Sequence, residues 1–267
     1  MAFTETELRE QIVDVMMKMA SRGLNKGTSG NCSARCGEGM LVTPTGVVPE
    51  ALTPDNIVYI DAAGEAAPGA LAPSSEWRMH KGILDRRPDA GGVVHCHSHY
   101  ATVLACAHRP IPSVHYMVAV SGGPTIEVAP YEMFGSLALA EGVTETLDGR
   151  FACLMANHGQ IALAPTLGRA LAIAEQVEEQ AGVYWGTLAI GGPKLLSPGQ
   201  MDDITVAFRK YGQPKRSRCP REPWQIRGRV GTRRYRGRDP PPPAANESSP
   251  CGAPRRRRPA APRHRSR

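Results

Sequence analysis

The first 213 residues predict a single α/β domain, and two observations support this fold class. Helical and extended hydrophobic patterns alternate along this part of the chain, as they do in domains that pack helices against a sheet. The composition of the whole chain, 41% hydrophobic and 21% charged, is typical of a globular protein. No run of eighteen apolar residues occurs, so we expect no membrane span.

The N-terminal half begins with a predicted helix over residues 4–22. Thr4 or Thr6 can cap its start, and Gly23 can end it. Apolar side chains recur at helical spacing along one face, namely Leu8, Ile12, Val15, Met16 and Met19. Extended patterns bounded by Pro and Gly then predict strands at 32–35, 40–43 and 57–60. They are followed by a predicted helix over 75–87, a buried strand over 92–97 and a helix over 98–107.

The C-terminal half continues the alternation of elements. It begins with a predicted strand at 125–129 and a helix over 135–147. Apolar runs then predict two strands, at 151–155 and 161–164. A long helix over 167–190 is indicated by the helical spacing of Leu171, Ile173, Ala174, Val177, Ala181 and Tyr184. The last predicted helix runs from about 199 to 210, so regular structure is expected up to residue 213 at most.

Residues 214–267 differ in kind from the domain before them. They hold 17 Lys and Arg, only 3 Asp and Glu, and 11 Pro, whereas residues 1–213 hold 15 basic and 22 acidic residues. Such a composition cannot bury a core, so we predict a disordered tail. One interpretation is an arm that binds nucleic acid; the other, which the abrupt change of composition favours, is a non-native extension.

The N-terminal sequence and the cysteines indicate the cellular compartment of the protein. The first residues are polar and acidic, which argues against a secretory signal. The chain has seven cysteines, an odd number that cannot all pair, and we expect them to be reduced thiols. A cytoplasmic enzyme is therefore expected.

Three histidines are candidates for a metal site. His95 and His97 end a predicted buried strand and point to the same face, because side chains alternate along a strand. His158 follows another apolar run and precedes a glycine, so it can project into a cleft as a third imidazole. Three imidazoles would form an open catalytic zinc site. Taken alone, the pair His95 and His97 is equally compatible with partly buried, hydrogen-bonded histidines, and His158 alone fits an ordinary turn histidine better.

Three loops have the composition of an anion site. Ser74, Ser75 and Glu76 enter a predicted helix, where the serines can cap the helix or bind phosphate. The segments 27–31 (GTSGN) and 43–46 (TPTG) combine small residues, hydroxyls and glycines, which suits an anion nest, although each alone is also an ordinary turn. Neither is a P-loop, and no dinucleotide fingerprint is present.

Seven motifs together carry a resemblance to a known family. They are GTSGN, TPTG, PSSEW, VVHCH, IPSVHYM at 111–117, APYEMFG at 129–135 and NHG, and their order resembles the class II aldolase/adducin family over residues 5–213. The resemblance implies a three-layer sandwich with a central, largely antiparallel sheet flanked by helices. It also implies a homotetramer with active sites between subunits.

The resemblance assigns roles to individual residues. It implies one Zn²⁺ per subunit, held by His95, His97 and His158 with Glu76 as a resting fourth ligand. The positions that match the family's phosphate site are Gly30, Asn31, Thr45, Gly46, Ser74 and Ser75. Tyr116 matches a tyrosine that reaches a neighbouring subunit's site, and Phe134 and Tyr211 match residues on the aldehyde side.

The activity implied is reversible cleavage of a ketose 1-phosphate of the L-fuculose 1-phosphate type. The products would be dihydroxyacetone phosphate and an aldehyde such as L-lactaldehyde, with Glu76 and Tyr116 as the catalytic groups and no lysine Schiff base. Relatives on the same scaffold leave alternatives open. These are an aldolase or dehydratase of methylthio- or deoxy-pentulose phosphates, a sugar-phosphate epimerase and a decarboxylase. A metal-free adducin-like role is disfavoured by the full ligand set.

Truncation after Gln213 tests the division of the chain. Because the tail cannot contribute to a core, we expect the shortened protein to keep or raise its specific aldolase activity. A marked loss would show that the tail is part of the enzyme. Full-length protein that binds DNA or RNA in a steeply salt-dependent manner would instead support the nucleic-acid interpretation.

Overall fold

Seven strands form one sheet in the order β3-β2-β1-β4-β7-β6-β5 in a computed structural model that describes residues 3–210. Neighbouring strands pair antiparallel except β5 and β6, which are parallel. The strands are β1 Asn31–Cys36, β2 Gly39–Val42, β3 Val58–Ile60, β4 Gly92–Cys96, β5 Val128–Ala129, β6 Ala152–Met155 and β7 Gly159–Ala164. Tyr211 and the proposed tail at 214–267 lie outside the described residues.

Within residues 3–210 there are six α-helices. They are α1 Glu5–Ser21, α2 Trp77–Arg86, α3 His99–Cys106, α4 Leu137–Thr146, α5 Leu167–Ala189 and α6 Pro198–Lys210. Short 3-10 helices lie at Pro49–Ala51, Pro54–Asn56 and Tyr116–Ser121. Helices α1 to α5 pack against the sheet, and α6 packs against the 3-10 helix at Tyr116–Ser121. Within residues 3–210, no helix is long and apolar enough to cross a membrane.

Local signals explain both ends of α1. Thr4 accepts a hydrogen bond from the Glu7 N–H, and the Glu7 carboxylate accepts one from the Thr4 N–H, which together make a capping box. At the other end Gly23 adopts a φ of 74°, and the N–H groups of Gly23 and Leu24 donate to the carbonyls of Ala20 and Met19. This is a Schellman motif, which satisfies carbonyls that the last turn would otherwise leave unpaired.

The two faces of the sheet bury separate cores. On one face, β4 residues such as Val94 pack with apolar side chains of α1, α3 and α5. On the other face, its neighbour Val93 packs with α2 and α4, whose contributions include Ile83 and Leu139. Adjacent strand residues thus serve opposite layers, as the two-residue period requires. The expected three-layer sandwich with a largely antiparallel sheet is confirmed.

Some expected boundaries were wrong. Helix α2 begins at Trp77 rather than Ser75, and its N-terminal capping position is Glu76, with no side-chain cap. Ser74 instead accepts the Glu76 N–H through its hydroxyl at 3.3 Å, so the serines form the turn before the helix. Strand β4 ends at Cys96, which leaves His97 just beyond it. Strand β5 is reduced to Val128–Ala129.

A glycine on β4 sets how closely α5 approaches the sheet. A Cβ added at Gly92 would lie 2.6 Å from the Leu167 nitrogen and 2.8 Å from its Cα, which are backbone atoms that cannot rotate away. We therefore expect Gly92→Ala to lower the free energy of unfolding by about 1–3 kcal/mol. Gly168→Ala is the matched control, because a Cβ there meets nothing within 4 Å and alanine favours helix.

Thermal unfolding of both variants at equal protein concentration is the measurement. A clear fall in the unfolding temperature for Gly92→Ala alone is expected. Equal temperatures for the two variants would contradict the proposed close packing.

Candidate active site

Three imidazoles converge at the ends of neighbouring strands near the middle of the sheet. His95 ends β4, His97 follows it, and His158 lies in the turn between β6 and β7. Their ring centroids are 4.8 to 5.0 Å apart, and one nitrogen of each ring lies within 4.8 Å of the others. The antiparallel pairing of β4 with β7, and of β7 with β6, brings these distant parts of the sequence together.

A backbone carbonyl orients the ring of His95. His95 Nδ1 lies 2.8 Å from the Gln160 carbonyl, which can only accept, so Nδ1 carries the proton and Nε2 faces the cluster. Such a contact behind a ring fixes its orientation and tautomer, as is typical of metal-binding histidines. At His97 the main chain is held instead, because its backbone N–H donates to Asn25 Oδ1 at 3.1 Å.

The turn before His158 has an unusual backbone. Asn157 has a φ of 52°, in the left-handed region, and its N–H donates to the Ala105 carbonyl at 3.2 Å. Its side-chain Oδ1 lies 2.6 Å from His108 Nε2. These two contacts hold the strained turn that delivers His158 to the site.

Glu76 completes the cluster from the start of α2. Its Oε2 lies 3.2 Å from His95 Nε2, and its Oε1 lies 3.2 Å from His158 Nε2. Burial opposes ionisation of Glu76, but the charges and hydrogen bonds of His95 and His158 outweigh burial and lower its pKa. In turn, burial disfavours the charged form of His95, yet the Glu76 carboxylate raises the pKa of this imidazole.

The donor set fits a divalent metal ion. His95 Nε2 lies 3.0 Å from His97 Nε2 and 3.2 Å from a carboxylate oxygen, so atoms that bear lone pairs face one another. Such atoms repel unless a proton or a cation lies between them. Glu76 Oε1 is buried and makes no hydrogen bond of acceptable geometry, despite its closeness to His158. Three imidazoles and one carboxylate match the preferences of zinc.

The cluster lies at the floor of a cleft with a volume of about 340 Å³. Ten of the site residues expected from the sequence line this cleft, namely Gly30, Asn31, Thr45, Gly46, Ser74, Ser75, Glu76, His97, Phe134 and His158. Gly30 and Gly46 have φ values of 72° and 71°, which glycine adopts without strain. The three loops predicted to hold an anion therefore meet at the candidate metal site.

Two aromatic residues expected at the site, Phe134 and Tyr116, lie in different places. Phe134 lines the cleft but is 64% exposed, at its mouth. Tyr116 is 48% exposed and lines a separate cavity with His115, Gln200 and Asp203. A role for Tyr116 in a neighbouring subunit therefore stays a prediction, as does the role of Tyr211.

Sequence reasoning missed several residues at or behind the cleft. Thr28, Ser29, Pro44, Tyr131, Glu132 and Asn157 also line it. Most of them lie inside the motifs recognised in the sequence, but the sequence reasoning did not assign them to the cleft. Gln160, Asn25 and His80 lie behind the site and carry no local pattern that would have marked them.

A cysteine lies between two of the histidines without joining them. Cys96 is fully buried on the face of the sheet that packs against α5, and burial raises the pKa of its thiol to about 12. His99, which begins α3, is also outside the cluster, as expected for a residue where the chain leaves the strand.

Comparisons with known proteins identify the relatives of this chain. The Class II Aldolase and Adducin N-terminal domain matches residues 10–185. A 5-methylthioribulose-1-phosphate/5-deoxyribulose-1-phosphate aldolase of Rhodospirillum rubrum is 46% identical over 205 residues, covering 77% of this chain and 92% of the relative. An L-fuculose phosphate aldolase of Escherichia coli is 44% identical over 207 residues, covering 77% and 96%. A solved L-fuculose 1-phosphate aldolase superposes with a TM-score of 0.74 at 35% identity, covering 78% and 98%.

The chain therefore belongs to the class II aldolase and adducin family. Within that family it is a metal-dependent aldolase, an aldehyde-lyase. The resemblance inferred from the sequence is confirmed.

Metal binding by the histidines is directly testable. We expect the protein to bind one divalent ion per chain, and His97→Ala to lose most of it, because this variant removes one converging nitrogen. His99→Ala is the matched control, since this exposed histidine lies two residues away and outside the cluster. Metal content after dialysis is the measurement.

The pH dependence of binding gives an independent check. Ligating imidazoles must be neutral, so metal binding should weaken as the pH falls below about 6.

Equal metal content in His97→Ala and His99→Ala would contradict the assignment of His97 as a metal ligand.

Proposed function

We propose that the protein cleaves a ketose 1-phosphate of the L-fuculose 1-phosphate type, reversibly, into dihydroxyacetone phosphate and an aldehyde. The observation that carries this proposal is the meeting of three imidazoles and Glu76 with three loops suited to an anion, in one cleft. A phosphorylated ketose needs both features, the anion loops at its phosphate and the cluster of imidazoles and Glu76 at its carbonyl. The E. coli and R. rubrum relatives both act on sugar phosphates of this kind, by their names.

Zinc is the metal that the donor set fits, and we propose that His95, His97 and His158 hold one Zn²⁺ per subunit, with Glu76 as a resting fourth ligand. When bound there, zinc supplies Lewis-acid polarisation of the substrate carbonyl. The protein's part is to fix the imidazoles, and the Gln160 carbonyl does this for His95 through Nδ1.

The three loops are proposed to bind the phosphate and thereby to orient the substrate in the cleft. Gly30, Asn31, Thr45 and Gly46 line one side of the cleft, and Ser74 and Ser75 line the approach to α2. Hydroxyls, a side-chain amide and backbone at positive φ suit a phosphate group. A phosphate anchored there fixes the position of the carbonyl and the bond to be broken relative to Glu76.

Glu76 is the proposed proton shuttle at the hydroxymethyl carbon of the dihydroxyacetone phosphate fragment. In cleavage it gives a proton to that carbon, and in the aldol direction it removes one. The histidines lower the pKa of the carboxyl group and so favour its ionised form.

Tyr116 is the proposed acid and base on the aldehyde oxygen, and it would act in the site of a neighbouring subunit of a homotetramer. Its exposed position away from the cleft of its own chain supports this arrangement. Phe134 and Tyr211 are proposed to shape the aldehyde side.

A methylthio- or deoxy-pentulose 1-phosphate is the second candidate substrate. Three exposed side chains near the cleft favour it, because Tyr131, Met133 and Phe134 are 58%, 59% and 64% exposed and offer an apolar surface. A methylthio or methyl terminus would pack there, and such differences alter selectivity by only about 1–3 kcal/mol. The R. rubrum relative is named for these substrates.

Release of dihydroxyacetone phosphate from L-fuculose 1-phosphate tests the proposal. We expect release by the zinc-loaded protein and its loss with EDTA or in Glu76→Gln, which keeps the size of the side chain but cannot accept the proton. 5-Methylthioribulose 1-phosphate and 5-deoxyribulose 1-phosphate are assayed in parallel. The kcat/KM values of the three substrates show which aldehyde portion the enzyme prefers. No release from any of the three would overturn the aldolase proposal in favour of the dehydratase, epimerase or decarboxylase reactions.

A further inference from the structure

A chain of three hydrogen bonds leads from the interior of the protein to Glu76, and the proposed mechanism does not use it. Ser33 Oγ on β1 lies 2.8 Å from His80 Nδ1, and His80 Nε2 lies 2.5 Å from Asn31 Oδ1. Asn31 Nδ2 then donates to Glu76 Oε2 at 2.8 Å. Ser33 and His80 are fully buried and Asn31 is 6% exposed, so water does not substitute for these partners.

The carboxylate fixes the direction of every bond in this chain. An ionised carboxylate only accepts, so Asn31 must present Nδ2 to Glu76 and Oδ1 to His80. His80 must then donate from Nε2, which leaves Nδ1 to accept the Ser33 hydroxyl proton. Burial lowers the pKa of His80 to about 3, in keeping with the neutral imidazole that this pattern requires.

The chain of hydrogen bonds holds one oxygen of Glu76. Oε2 accepts a hydrogen bond from the Asn31 amide, and Oε1 lies 3.2 Å from His158 Nε2. The carboxylate is therefore oriented by Asn31 on one side and by the imidazole cluster on the other.

We propose that His80 is a positioning residue of the aldolase reaction, which acts through Asn31 to hold Glu76 Oε2 and so orients the carboxylate. This inference rests on the proposed role of Glu76. Without the donor on His80, the buried Asn31 Oδ1 loses its partner, and the amide is no longer fixed at one orientation. The carboxylate would then sample orientations in which neither oxygen faces the substrate carbon.

A half-reaction isolates this step from the aldehyde side. Zinc-saturated enzyme is incubated with dihydroxyacetone phosphate in D₂O without aldehyde, and NMR follows exchange of the hydroxymethyl proton. We expect His80→Leu to lower the exchange kcat about 10–100-fold, the range found when a group behind a catalytic ligand is removed. His80→Gln, whose amide nitrogen can reach the position of Nε2, is expected to stay within about threefold of wild type because the donor remains.

Ile83→Ala is the control for general damage to α2. Ile83 is fully buried on the same helix but belongs to the apolar core, so this variant weakens the packing without touching the hydrogen-bond chain. Exchange in His80→Leu equal to wild type would overturn the inference. A loss in His80→Leu that Ile83→Ala matches, or that His80→Gln fails to restore, would overturn it as well. Wild-type protein that exchanges no more than Glu76→Gln would overturn the proposed role of Glu76 itself.

Discussion

The antiparallel pairing of β4 with β7 is the constraint on which the site depends. It sets Cys96 opposite Gln160, and it lets the Gln160 carbonyl accept the Nδ1 proton of His95 from the facing strand. The same strand β7 starts at Gly159, next to His158, so one register fixes two imidazoles. A slip of one residue would turn His95 into the opposite core and remove the site.

Around Glu76 and His95, the effect of burial on ionisation is opposed by the interaction between the two side chains. Burial disfavours the ionised forms of Glu76 and His95, whereas their closeness lowers the pKa of the carboxyl group and raises that of the imidazole. An uncompensated charge here would be costly, which is why the carboxylate and the imidazoles occur together. The same interaction favours the ionised form of Glu76, which a proton shuttle needs before it accepts a proton from carbon.

Much of the fold could be predicted because its signals are local. Helix α1 has its capping residues, its apolar face and its terminal glycine within one stretch of sequence. Strand β5 could not be bounded, since its two residues are defined by pairing with β6. Helix α2 starts later than expected because Ser74 bonds to the Glu76 N–H in a turn. The candidate site was found through motifs, whereas His80 was not, because its partners Ser33 and Asn31 lie far away in sequence.

The position of Cys96 has a consequence for redox chemistry. Strand alternation places this thiol on the far face of the sheet from the imidazoles on either side of it, in the core against α5. Burial holds the thiol protonated, and a protonated thiol is a poor nucleophile toward peroxide and a poor ligand for soft metals. A site of nitrogen and oxygen donors can therefore lie beside a cysteine without being exposed to copper(I) capture or to sulfenic acid formation at that residue.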